Sequence, residues 1–379
     1  MRILVCASEY PPHGSGIADV ASRMVREFEK RGHSCTVCSP SGPDIKLGSH
    51  MLIRRVAGIG LLFYWWRVKR HFAGRAPQWD AVWLHWPMFT GRSPFPAAVV
   101  TFHGTYLGFM NMAQGMRSSW LVRLYYAFMQ SVEKRSLRSL RGGQYLYATV
   151  SPRSAVELIA QGVGSEGVAY VPVGVDTGRF QSTGDRAAVR DELGIPTEAC
   201  VLLYVGRLSR PKNLFALVDA FAELKKKVPE AVLLVVGSGE LDRPLAHYIE
   251  ERNMADVRLL GFVANQELPR LYGCADFFVM SSTYEGQPVV LLEAMACGLP
   301  PILSDIPAMR DVIGDSGLGL LVDFGDPRRA AGRIEEYLSS PKAKQDRLGV
   351  RDYVVRNMSS AAVAETYLGL LEEVSQKRP

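Results

Sequence analysis

The sequence predicts an α/β protein of two Rossmann-like domains, and three observations predict it. The chain has 379 residues, more than the roughly 100 to 200 that one ordinary core absorbs. Short apolar runs alternate with helical stretches along most of it, the pattern of parallel strands covered on both faces by helices. The pattern also starts twice, on either side of a turn-rich segment, VPVGVDTGRF at 171–180.

In chain order, RILVCA reads as a strand, PPHGSG as a turn, and Ile17 to Arg31 as a helix. CTVCS, DAVWLHW, AAVVTFHG and QYLYATVS are the next strands, with gaps long enough for crossover helices. After the turn-rich join comes a helical DRAAVRDELG. The strands VLLYVG, AVLLVVG, VRLLGF, ADFFVM and LPPILS follow, with helices such as Leu214 to Lys227 and Val289 to Cys297 between them. The final SSAAVAETYLGLLEEVSQK is one amphipathic helix that either closes the second domain or crosses back to the first. The expected domains are 1–173 and 174–355, with 356–379 as that C-terminal helix.

Hydrophobic residues make up 47% of the chain and charged residues 22%, ordinary globular values. The longest apolar run, Val56 to Trp66, is far short of the roughly 18 residues a membrane span needs. MRILVCASEY lacks the length and cleavage site of a secretory signal, so a cytoplasmic location is expected. Cys35 and Cys38 have CxxC spacing but alternate as in a strand, with no second pair to complete a zinc site. They read as reduced structural thiols. Residues 1–173 carry 20 Lys and Arg against 9 Asp and Glu, a net +11, and the rest carry 24 against 29, a net −5. The basic half suits phosphate-bearing or membrane-surface partners. No nucleic-acid module is recognisable, and none is expected as a partner.

The strongest chemical signal is STYEGQPVVLLEAMACGLPPILSD, residues 282–305. Pro288 fits the first turn of a helix whose core-facing stripe reads Val289, Leu292, Glu293, Ala296. A carboxylate on an apolar face costs several kcal/mol unless strong donors meet it, so Glu293 must face protein donors or ligand hydroxyls. Glu285 sits just before the same helix, whose free amides can hold phosphate or sugar oxygens, with Gly286 allowing close approach. An N-cap carboxylate with a satisfied buried Glu is the structural alternative.

Glu285 and Glu293, followed by AMACGLPPILSD, resemble the signature of family 4 glycosyltransferases, retaining enzymes of the GT-B fold, in which two Rossmann-like domains face each other across a cleft. VGRLSRPKN at 205–213, LLVVGSGE and GFVANQELPRLYGCADFFVMSS are similar to further segments of that family, in order, over about residues 170–325. The resemblance implies transfer of a hexose or N-acetylhexosamine from a UDP-sugar or GDP-mannose to a hydroxyl of a glycan or lipid-linked acceptor. Arg207 and Lys212, placed after the first strand of the second domain, would then hold the donor diphosphate. Fixed cations there stabilise the charge that builds on the leaving phosphate. Glu293 would accept from the ribose hydroxyls, Glu285 would contact the transferred sugar, and backbone at Gly261, Phe262 and Val263 would read the base. Gly286, Gln287, Pro288 and Val289 complete the implied donor site. The family often has Phe-Gly at positions 287–288, so here one backbone donor is missing.

In the first domain, Gly14, Ser15 and Gly16 fill the position of the family's glycine-rich loop, with Gly16 also toward the donor and all three toward the acceptor. A plain strand-to-helix turn is the alternative. His103, after an apolar strand, resembles the family's histidine facing the transferred sugar and would orient a hydroxyl. His85 and His13 are weaker candidates. The resemblance implies front-face substitution with no metal ion and no cofactor besides the donor. Residues 54–75 hold six Arg or Lys, no acid and several large aromatics, the make-up of a helix lying on an anionic membrane, here the inner face of the cell membrane. MRSSWLVRLYYAFMQSVEKRSLRSLR extends that basic surface, and internal packing with solvated cations is the other reading of 54–75. Among enzymes of the same fold, a sugar-nucleotide epimerase or a trehalose or sucrose phosphate synthase type transferase remains open. An NAD-dependent oxidoreductase also has two Rossmann-like domains, but Asp19 stands where its fingerprint needs glycine. A noncatalytic sugar-nucleotide binder would bind donor without ever hydrolysing it.

Overall fold

The computed structural model describes residues 1–12, 16–74, 78–115, 119–182, 185–314 and 316–377, with backbone alone at 16, 57 and 112–115. The chain forms two compact units, Met1–Gly174 with Ser360–Pro379, and Val175–Ser359.

In the first unit the strands are β1 (Arg2–Ala7), β2 (Ser34–Ser39), β3 (Ile45–Lys46), β4 (Ala81–His85), β5 (Ala97–Phe102), β6 (Gln144–Thr149) and β7 (Val168–Tyr170). They pair in parallel in the order β3-β2-β1-β4-β5-β6-β7. Residues 97–102 are all buried, which is why that strand reads as an unbroken apolar run rather than an alternating one. In the second unit, β8 (Cys200–Val205), β9 (Ala231–Val236), β10 (Val257–Gly261), β11 (Phe277–Met280), β12 (Pro301–Ser304) and β13 (Leu320–Val322) give the order β10-β9-β8-β11-β12-β13, again all parallel. In each sheet the order reverses beside the first strand, between β1 and β4 and between β8 and β11. Loops at the carboxyl ends of strands part there and leave a crevice.

The C-terminal segment departs from the sequence expectation. Arg356 to Met358 finish the helix Pro341–Met358 of the second unit, so the expected boundary at 356 is moved. The helix that joins the first unit starts at Ser360 and ends at Gln376. Its apolar stripe, Val363, Tyr367, Leu371 and Val374, is buried in the core around Trp83 and Phe28. The first boundary falls between Gly174 and Val175, one residue after the expected 173. No helix among the described residues is long and apolar enough to cross a membrane.

Candidate active site

The β8–β11 switch point brings together side chains about 70 residues apart. The loop after β8 carries Arg207 and Lys212, and the loop after β11 carries Ser281, Ser282 and Glu285. Lys212 Nζ lies 2.5 Å from Glu285 Oε1, with both side chains largely buried. Ser282 donates to the same oxygen at 2.7 Å, and Ser281 donates to the Lys212 and Asn213 carbonyls at 2.9 and 3.1 Å. Thr283 N–H donates to the Pro211 carbonyl at 2.8 Å, which ties the two loops together. Tyr204 lies below, donating to the Arg207 carbonyl at 3.1 Å. Burial, and then the Glu285 charge, raise the Tyr204 pKa, so it stays a neutral donor. The Arg207 guanidinium is exposed and makes no ion pair with a described residue.

Beside this cluster is a cavity of about 470 Å³ at the carboxyl ends of β8, β9 and β10, lined by Gly206, Arg207, Gly237, Phe262, Val263 and neighbours. Glycine is required here for close packing. A Cβ on Gly237, whose φ is +135°, would fall 1.9 Å from the Gly206 carbonyl oxygen, and one on Gly239 would fall 2.3 Å from that of Leu208. Gly261, at φ +68°, turns the chain after β10 and accepts from Gly237 N–H at 2.8 Å. That turn leaves Phe262 77% exposed at the cavity mouth, while Val263 packs on the core.

Glu293 is buried in the helix Val289–Ala296, as its position on the apolar face requires. The Tyr272 hydroxyl stands 3.3 Å from both its Oε2 and the Val290 carbonyl. The expected one-sided stripe is corrected. Leu291, Ala294 and Met295 are as buried as Leu292 and Ala296, because from Leu291 onward the helix has protein all round it, while Val289 at its start is only half-buried. Pro288 is the N-cap residue rather than the first helical one, and no side chain caps the helix. Gly286 has open space around it and Gln287 is half-buried.

In the first unit, Gly14, Ser15 and His13 lie outside the described residues, and Gly16 is seen only as the first backbone position of the helix Gly16–Lys30. His103 follows β5, and His85 ends the neighbouring β4. Their rings stack with centroids 5.2 Å apart, and His85 Nδ1 is 2.9 Å from His103 Nε2. Burial pushes the His103 pKa down to about 4 and holds that of His85 well below its usual value, so the pair is neutral. The next residues are anchored from below. Glu157 accepts from the Thr105 hydroxyl at 2.5 Å, and Glu133 accepts from Tyr106 N–H at 2.7 Å and from Gln161 at 3.1 Å. Burial raises the Glu133 pKa to about 7, against the pull of those donors. The sequence offered no sign of either carboxylate, because both come from distant helices. Trp86, directly after His85 and at φ +49°, is a strained residue whose backbone N–H donates to the Thr101 carbonyl at 2.8 Å.

Residues 54–75 divide both ways. Residue 75 lies outside the described residues, and the rest of the segment falls mostly on two helices, His50–Arg55 and Ala57–Phe72. Tyr64, Trp65, Val68 and Phe72 are buried, while Ile59, Phe63 and Trp66 face out, with the Arg70 guanidinium 5.6 Å over the Trp66 ring. Among the described residues no three His, Cys, Asp or Glu side chains are grouped as a metal site.

Residues 185–351 match the family described as glycosyl transferases group 1, and residues 14–179 that described as glycosyltransferase family 4. The chain belongs to the group 1, family 4 glycosyltransferases. It is 24% identical to an alpha-monoglucosyldiacylglycerol synthase of Streptococcus pneumoniae, over 94% of this chain and 82% of that protein. With a D-inositol 3-phosphate glycosyltransferase of Kineococcus radiotolerans the identity is 35%, over 48% of this chain and 46% of that protein. This glycosyltransferase has the GT-B fold. The crystal structure of Anabaena Alr3699/HepE in complex with UDP and glucose superposes at a TM-score of 0.70 and 16% identity, over 98% of this chain and all of that one.

Proposed function

We propose that this glycosyltransferase takes a hexose or N-acetylhexosamine from a UDP-sugar or GDP-mannose and transfers it, with retention, to a hydroxyl of a glycan or lipid-linked acceptor. The observation that carries the reading is the Lys212–Glu285–Ser282 cluster, with Arg207 beside it, at the carboxyl end of β8 next to a cavity of nucleoside size. Arg207 and Lys212 hold the diphosphate, and the base enters the cavity under Phe262. Glu285 takes sugar hydroxyls, and Glu293 takes those of the ribose. In the transfer step the bond from the anomeric carbon to the phosphate oxygen breaks, and the acceptor oxygen bonds that carbon on the same face. The acceptor proton passes to the leaving phosphate. Two fixed cations stabilise the charge gained by that phosphate, which is where the rate enhancement arises. Neutral His103 orients a hydroxyl of the transferred sugar. No metal ion is needed for this step.

The lipid-linked side of the reading is supported by the relative named for a diacylglycerol product and by the apolar residues that face out of the helices at 57–72 and 120–140. The protein then attaches peripherally to an anionic membrane.

The test is incubation with a panel of UDP-, GDP- and ADP-sugars, following slow release of free nucleotide, with EDTA present in a parallel series. Product from the active donor is examined by proton NMR at the anomeric centre. Release from one donor, unaffected by EDTA and with the donor's configuration kept, is expected. Inversion, turnover that EDTA abolishes, or binding with no release overturns the reading.

A further inference from the structure

A cavity also lies in the first unit, at the end of its sheet opposite His103. It has a volume of about 990 Å³ and is formed by residues 90–96, which lead into β5, residues 135–145, which lead into β6, and Lys377. His103 lies past the far end of β5, so a six-residue strand, roughly 20 Å, separates the two. The size matches sites that enclose small molecules. Its walls carry Arg92, Arg135, Arg138, Arg141 and Lys377, and no carboxylate among the described residues lines it.

Most of this charge is uncompensated. Lys377 pairs with Glu373 at 2.5 Å and Arg141 donates to the Gly162 carbonyl at 3.3 Å, but Arg92, Arg135 and Arg138 make no ion pair or side-chain hydrogen bond with any described residue. Arg135 and Arg138 are three apart on one helix, so both project to the same side. Some arginines of the first unit are paired with acids, as Arg2 with Asp80 and Arg31 with Glu27, whereas in this concavity three unpaired guanidinium groups face one space. Like charges gathered around one concavity repel, and an entering polyanion turns that repulsion into attraction. Guanidinium groups also match phosphate oxygens in a bidentate geometry.

We propose that this pocket binds a ligand bearing two or more phosphate groups, at a site separate from the donor cluster of the other unit. Tripolyphosphate is the probe, titrated calorimetrically into the full chain. The wild type binds it, and binding weakens as salt rises, because several ion contacts form at once. Arg135→Ser with Arg138→Ser lowers the affinity at least tenfold with an unchanged melting temperature, and Arg138→Lys alone keeps most of it. Arg207→Ala with Lys212→Ala, which empties the donor cluster, leaves this binding event in place. Absence of tripolyphosphate binding, or binding lost with Arg207 and Lys212 and untouched at Arg135 and Arg138, overturns the proposal unless the vesicle arm succeeds. That arm compares vesicles containing cardiolipin, whose headgroup carries two phosphates, with vesicles of phosphatidylcholine alone. Sedimentation with the anionic vesicles alone, lost in the Arg135/Arg138 variant, assigns the phosphates to lipid headgroups. Sedimentation indifferent to those arginines leaves the soluble polyanion as the one ligand the proposal can keep. The outcome is independent of donor turnover, so failure here and failure of the proposed transfer are read separately.

Discussion

At the scale of single residues, Lys212 donates to Glu285. An ammonium has three donors, so Lys212 can keep Glu285 and still reach a phosphate, as the proposed donor site requires. Lys212→Ala is expected to lower transfer at least a hundredfold, mostly in kcat, with circular dichroism and melting unchanged. A rate within threefold of wild type would show that Lys212 is not on the reaction path. His103 makes a different prediction. Its pKa is lowered to about 4 from an ordinary 6.5, so it is already neutral across the working pH range. The sign follows: the stability it contributes is complete above pH 6.5 and is lost as pH falls toward 4. The pH profile of kcat/KM should therefore have no ascending limb near 6.5 assignable to His103, and His103→Ala should lower the curve without reshaping it. A wild-type limb at 6.5 that vanishes in the variant would contradict this. The motif residues Arg207, Lys212, Glu285 and Glu293 were legible because their spacing along the chain carries the pattern. The pairing of His103 with His85 was not, since it depends on β4 and β5 being neighbours.

At the scale of elements, the loops after β8 and β9 touch backbone to backbone, and Gly237 allows it. Gly237→Ala puts a methyl into the Gly206 carbonyl at a φ that L-residues rarely adopt, so a loss of about 2 to 4 kcal/mol is expected. Thermal denaturation should show it, together with weaker donor binding, because Gly206 and Gly237 line the cavity. An unchanged melting temperature would mean that the two loops are not in contact. The helix Trp120–Leu140 contributes a buried acid, Glu133, with a pKa raised from 4.5 to about 7. A raised acid gives its full stability below about pH 4.5 and loses it as pH rises through 7. Glu133→Gln should therefore be more stable than wild type at pH 8, by up to about 3 kcal/mol, and equal to it below pH 4.5. Urea unfolding at the two pH values decides, and a variant less stable at pH 8 refutes the assignment. The long apolar strands could be read from sequence because burial on both faces makes them continuous runs. The two- and three-residue β3, β7 and β13 could not, since edge strands that short carry no periodicity. The helix Val289–Ala296 misled for the opposite reason. It is apolar on every side, so no stripe marks its core face.

At the scale of the whole molecule, charge and exposed apolar surface both concentrate in the first unit. The net +11 of residues 1–173 was visible in the sequence, but which aromatics face out was not, because helices at 57–72 and 120–140 each bury one side and expose another. Trp120, Leu124 and Phe128 are four residues apart, so they form one stripe along a helix, and it points outward. Ile59, Phe63 and Trp66 form a second stripe on a neighbouring helix. Gly58 lets the two helices approach, since a Cβ there would stand 3.0 Å from Met129 and Tyr125. An outward apolar stripe exposes area that is stabilised once covered, at about 25 cal/mol per Å². Cations beside it, such as Arg67, Arg70 and Arg123, add roughly 1 kcal/mol each on an anionic surface. Replacing Trp120, Leu124 and Phe128 together by serine should remove about 3 to 5 kcal/mol of membrane affinity, roughly a hundredfold or more, if each side chain buries part of its surface in the bilayer. Because these side chains are exposed in the folded protein, the melting temperature should stay within a degree or two. Flotation with phosphatidylglycerol vesicles at low salt measures the first quantity, and raising the salt should weaken wild-type binding without abolishing it, since only the cationic part is screened. Equal flotation of the triple variant and the wild type would place the membrane contact elsewhere, and absence of wild-type flotation would remove the peripheral attachment from the proposed function.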